Sequence, residues 1–75
     1  MNKGPILLDC SGLKCPMPLL EISRTVKGMT SNDELRVLAT DLAFNADVHA
    51  WARVTGNTIL SFQDNDIKEV IIKLK

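Results

Sequence analysis

The chain has 75 residues, with nine Lys or Arg against nine Asp or Glu, 45% hydrophobic residues and 4% aromatic ones. A chain of this length makes one small domain, residues 1–75, burying about 60–65% of its unfolded surface and leaving no room for a second domain or a deep enclosed cavity. Zero formal charge, one Trp, two Phe and no Tyr exclude the basic stripe and stacking aromatics of a nucleic-acid grip.

Met1 to Gly4 are expected to form a loose end. Pro5 to Leu8 reads as a first strand, short and largely buried. Ile6-Leu7-Leu8 is broken by Asp9 and is too short for the apolar region of a secretory leader. No run approaches the roughly 20 apolar residues of a membrane span, so a cytoplasmic location is the expectation. Asp9 to Lys14 reads as a turn, because Asp and Ser bond local backbone groups and Gly12 permits a positive φ. Asp9 is expected to shape this loop by accepting hydrogen bonds from amides just before Cys15, rather than to take part in chemistry.

The next stretch, Cys15-Pro16-Met17-Pro18, places a thiol at a helix start. Proline suits the first helical position, where its fixed φ fits and its missing N–H has no partner to lose. Pro16 is therefore assigned to that position, Cys15 to the N-cap, and Pro18 to the tolerant first turn. A helix start favours an anion by about 0.3–1 kcal/mol when exposed and up to about 2 kcal/mol when partly buried. One pKa unit is about 1.4 kcal/mol, so the thiol is expected to fall about a unit below its reference value of about 8.5. Lys14 pushes the same way. On this reading Cys15 is a nucleophilic thiolate near neutral pH; the alternative is a small buried hydrophobe.

Helix one is predicted over Pro16 to Lys27, with Leu19, Ile22, Val26 and Met29 on the core face and Gly28 as its stop. Lys14, Arg24 and Lys27 make either a docking surface for an acidic partner or a solvated face. Met17 is either an apolar contact for partners or a lid on the first turn. Thr30 to Asp33 is a polar link. Glu34 to Thr40 alternates, with Leu35, Val37 and Ala39 inward, and predicts a strand with one buried face. Asp41 offers an N-cap for a second helix, with Asn45 a competing start. Phe44, Val48, Trp51 and Ala52 form its apolar stripe, and Gly56-Asn57 closes it. Thr58 to Gln63 and Ile67 to Leu74 form a hairpin around Asp64-Asn65-Asp66, with Leu60, Phe62, Val70, Ile72 and Leu74 facing the core.

The order β-α-β-α-β-β implies a parallel first pair joined by a right-handed crossover and an antiparallel final hairpin. The fold class is thus an α/β two-layer sandwich, with both helices on one face of a four-stranded mixed sheet. Loops leaving the carboxyl ends of parallel strands share a sheet edge, which brings Asp9–Lys14 beside Thr40–Asn45. Asp41 and Phe44 then flank Cys15. Asp41 is expected to cap, since a carboxylate aimed at a thiolate opposes it. His49 has no evident pairing with Cys15, and Trp51 is expected in the core. Cys10 is either an inert thiol at the end of the first strand or a resolving thiol for Cys15, which requires their Cα atoms within about 7 Å. Two cysteines with no neighbouring His make no zinc site.

Asp9-x-x-Gly12-x-x-Cys15-Pro16-x-Pro18, followed by Gly28, Val37, Asp41, Asp47, Trp51 and Gly56, resembles the pattern of the TusA family of small sulfur-carrier proteins, also called SirA-like. The resemblance covers nearly the whole chain; it departs where Leu42-Ala43 replaces the family's frequent Pro-Gly-type pair. It implies the same two-layer fold and a sulfurtransferase that relays sulfur rather than turning over alone. Cys15 would carry the persulfide, with Asp9, Gly12, Lys14, Pro16, Pro18 and Asp41 shaping the site and no cofactor beyond the carried sulfur. The implied donor is a cysteine desulfurase or rhodanese-like protein, and the acceptor a DsrE-type protein, in tRNA thiolation, cofactor assembly or sulfur oxidation. The competing readings are a non-catalytic binding module and a thiol-disulfide pair of Cys10 with Cys15.

Overall fold

The computed structural model describes residues 5–75, and the expectation for Met1 to Gly4 lies outside them. In chain order the elements are β1 (Ile6–Cys10), α1 (Met17–Val26), β2 (Glu34–Ala39), α2 (Phe44–Thr55), β3 (Thr58–Gln63) and β4 (Lys68–Lys73). They make a four-stranded mixed sheet in the order β1-β2-β4-β3. β1 runs parallel to β2, with Leu8 opposite Val37 and Cys10 opposite Ala39. β4 is antiparallel to both β2 and β3. The α/β sandwich expected from the element order is the fold observed.

Alternation in β2 gives the centre of the core: Leu35, Val37 and Ala39 are fully buried. Val70 and Ile72 of β4 and Leu74 just after it continue the core, and Ile22, Phe44 and Val48 cover it from the helices. Leu19, Val26, Met29 and Trp51 pack around this cluster. Trp51 also joins the two helices, its Nε1–H donating to Ser23 Oγ at 3.2 Å. At the end of α2, Gly56 takes φ 81°, and its N–H and that of Asn57 both reach the Ala52 carbonyl. A residue with a side chain pays about 1–2 kcal/mol for that left-handed conformation.

Four expectations need correction. β1 lies at a sheet edge and is not largely buried: Ile6 and Leu7 are 41% and 57% exposed. It also runs on through Asp9 and Cys10, which the expected turn had claimed, because both residues pair with β2. α1 begins at Met17 with Pro16 as its N-cap, one residue later than expected. In β3 the core-facing residues are Ile59 and Phe62, whereas Leu60 is 49% exposed. The register shifts between Ile59 and Ser61, and the extra residue of a bulge reverses the phase of the strand. The sequence also gave no sign that Lys68 would be buried; its Nζ meets Asp64 Oδ1 at 3.5 Å.

Candidate functional site

The loop between β1 and α1 is built from short bonds. Asp9 Oδ1 accepts the Ser11 N–H at 3.0 Å, and the Leu13 N–H reaches the Cys10 carbonyl at 3.1 Å. Gly12 sits at φ 84° and donates its N–H to Thr40 Oγ1 at 2.9 Å. That last bond ties the first loop to the end of β2, as the shared edge of a parallel pair requires. Between the loops lies an open cleft of about 330 Å³ lined by Gly12, Leu13, Lys14, Thr40, Asp41 and Leu42. Cys15 follows this loop and is exposed. It stands in a turn closed by the Met17 N–H on the Lys14 carbonyl at 2.8 Å, and the Cys15–Pro16 peptide is cis.

This geometry reverses the expected tuning of the thiol. Cys15 is pushed above the ordinary thiol range, first by its side-chain hydrogen bond to Asp47, then by desolvation and the charges of Asp47 and Asp41. The helix start has few donors with which to compete. Of its first four amide positions, Pro16 and Pro18 have no N–H and Met17 bonds the Lys14 carbonyl, which leaves the N–H of Leu19. The prolines that mark the start of α1 also strip it of donors. Asp47 itself lies in the first turn of α2.

The remaining site residues fall as follows. Asp9 is held below the usual carboxylate range by the Ser11 side chain and amide. Asp41 sits before α2, its Oδ2 accepting the Ala43 N–H at 3.2 Å, while Ala43 is the N-cap. Phe44 is buried and stacks on Phe62 with centroids 6.2 Å apart. His49 packs on Phe62, with Nδ1 2.8 Å from the Asn45 carbonyl oxygen. Cys10 is a free, fully buried thiol, raised by burial and by Glu21 and Asp9. Arg24 pairs with Glu21 at 3.0 Å. Among the described residues no group of three or more His, Cys, Asp or Glu is placed to hold a metal ion, and no helix is long and apolar enough to cross a membrane.

Sequence reasoning gave Asp47 no role at the thiol. It stood only among the positions that carry the family resemblance, and as an acid in the first turn of α2.

Comparison with known proteins places this geometry. The family described as sulfurtransferase TusA matches residues 6–75. The sulfur carrier protein TusA of Allochromatium vinosum is 40% identical over 57 residues, covering 76% of this chain and 75% of that protein. Longer proteins of Aquifex aeolicus and Bacillus subtilis are 38% and 40% identical over 84% and 80% of the chain, which spans 32% of the length of each. With nearly every described residue inside the match, and the exposed thiol of Cys15 ahead of its first helix, the chain belongs to the TusA family.

Proposed function

We propose that the protein is a sulfur carrier in which Cys15 accepts the outer sulfur of a donor persulfide and hands it to an acceptor thiol. The observation that carries this reading is the exposed Cys15 thiol, presented on a tied loop at the sheet edge in a chain of this family. In loading, the Cys15 sulfur attacks the outer sulfur of R–S–SH, the donor S–S bond breaks, and the donor thiol leaves with a proton. Cys15–SH and R–S–SH become Cys15–S–SH and R–SH, so no oxidant is consumed.

A thiol raised above its ordinary range is mostly protonated at neutral pH. Cys15 therefore waits until a donor delivers a reactive persulfide beside it, as a relay does, rather than acting as a free-standing nucleophile. An open cleft suits cargo that must come off again. The donors fitting this chemistry are a cysteine desulfurase or a rhodanese-like protein, and a DsrE-type protein is a fitting acceptor, in tRNA thiolation, cofactor assembly or sulfur oxidation. The carried sulfur is the only prosthetic element the reaction needs, and the partners of such a relay suit a cytoplasmic setting.

Incubation with a persulfide donor followed by intact mass measurement tests the reading. A gain of one sulfur atom is expected in the wild type and none in Cys15→Ala. No gain in the wild type, or a gain that survives in Cys15→Ala, rejects it.

A further inference from the structure

Another protein can pass sulfur to Cys15 only by covering the sheet edge on which the thiol stands. Three large apolar side chains lie exposed along that edge. Met17 shares the turn of Cys15, its N–H on the Lys14 carbonyl at 2.8 Å. Leu42 lines the open cleft together with Lys14, the residue bonded to Cys15. Ile67 precedes Lys68, which pairs with Ala39 at the end of β2 and so brings the β3–β4 turn to the same edge.

At 88% Leu42 is the most exposed large hydrophobic side chain among the described residues, and it belongs to neither the core nor the layer packed on it. Its position is nevertheless fixed. The Phe44 N–H closes the turn on the Asp41 carbonyl at 3.1 Å, and the Gly12–Thr40 bond holds that turn against the loop of the thiol. Charge is sorted by edge as well. Asp41 precedes α2, and Asp64 and Asp66 lie in the β3–β4 turn. Of the lysines at this edge, Lys68 is buried against Asp64, which leaves Lys14. At the opposite edge, where α1, α2 and β4 end, stand Lys27, Arg53, Lys73 and Lys75 with Asp33 and Glu34.

We propose that Leu42 is the docking anchor for the protein that loads Cys15, a persulfide donor whose reactive cysteine lies beside an apolar pocket rimmed by Lys or Arg. The inference rests on the carrier reading and deepens it by naming the surface that selects the donor. Exposed apolar patches with a polar rim mark protein contacts. Met17 and Ile67 extend the patch on either side of Leu42, following the strand order β1-β2-β4. Asp41, Asp64 and Asp66 meet the donor's cations. The bonds made and broken are those of loading written above; Leu42 takes no part in them and acts on the encounter alone.

The test uses the full chain as wild type, Leu42→Ser, Leu42→Met and Val54→Ser. Val54 is the matched control, 84% exposed but in the last turn of α2, at the opposite edge. Arrival of sulfur on Cys15 is timed by intact mass with glutathione persulfide, with a cysteine desulfurase charged with cysteine, and with a rhodanese charged with thiosulfate. The quantity read is the protein-donor rate divided by the glutathione persulfide rate, well below donor saturation. With at least one protein donor, Leu42→Ser should lower this ratio about fivefold or more, as loss of a buried leucine contact does. Leu42→Met and Val54→Ser should keep it. The wild-type rate with that donor should fall as salt rises, because screening weakens complementary charge.

A Leu42→Ser ratio equal to that of Val54→Ser with both donors overturns the inference and leaves the carrier reading intact. So does a protein-donor rate that salt leaves unchanged or raises, and so does a wild type that neither donor loads faster than glutathione persulfide at equal concentration. Should Leu42→Ser lose the wild-type circular dichroism spectrum, Leu42→Gln takes its place. If none of the three donors puts sulfur on Cys15, the carrier reading itself falls.

Discussion

At Asp9 one carboxylate shapes the loop that presents the thiol, through the Ser11 amide it accepts. Asp9→Ala removes the acceptor, whereas Asp9→Asn keeps a side-chain oxygen in nearly the same place. Amide exchange at Ser11 should therefore quicken in Asp9→Ala and much less in Asp9→Asn, with β2 amides unchanged in both. Because Asp9 is more acidic folded than unfolded, its contribution is present above the unfolded value of about 3.9. It is lost as pH falls through the lower folded value. Ser11 exchange measured on either side of pH 4, and corrected for intrinsic rates, checks the sign. At this scale the sequence displayed the thiol and its loop, since Asp, Gly and Pro each announce a backbone habit. It did not display the electrostatics of Cys15, which depend on an acid 32 positions later in the chain (47 − 15). A helix start by itself favours the thiolate, but Pro16 and Pro18 have no N–H to offer it.

Among the elements, β3 shows how one extra residue alters a face. Ile59 and Phe62 both meet the core although they are three apart, because the bulge between Ile59 and Ser61 absorbs the odd position. Leu60→Ser should then change stability by no more than about 0.5 kcal/mol, as surface substitutions do. Phe62→Ala should cost about 3 kcal/mol, the lower end for removing a packed aromatic. Urea unfolding of both variants compares them, and equal losses would contradict the register. Strict alternation made Leu60 and Phe62 partners on paper, and nothing in Thr58–Gln63 marks the interruption. β2 was legible because it has a fully buried face next to an outward one. β1 was misjudged because a short apolar run looks alike at the centre and at the edge of a sheet.

For the molecule as a whole, the order of elements and the one-sided sheet sufficed to predict the two-layer fold, the parallel first pair and the antiparallel hairpin, but not the placing of β4 between β2 and β3. What they could not provide was the detail of individual side chains: Phe44, on the predicted apolar stripe of α2, is buried and stacks on Phe62. A chain of this size has roughly 4–11 kcal/mol of stability at about 0.05–0.15 kcal/mol per residue. Phe44→Ala, at about 3–5 kcal/mol, removes a large share of it. Circular dichroism should show this variant melting far below the wild type or unfolded at room temperature.

Cys10 ends β1 with no accessible surface, while Cys15, five positions on, faces water. Reaching the inner sulfur from the outer one would mean prising open the hydrocarbon between the sheet and α1. On the proposed relay, freight loaded at Cys15 would have no back door, and the next molecule to call would decide how long it stays aboard.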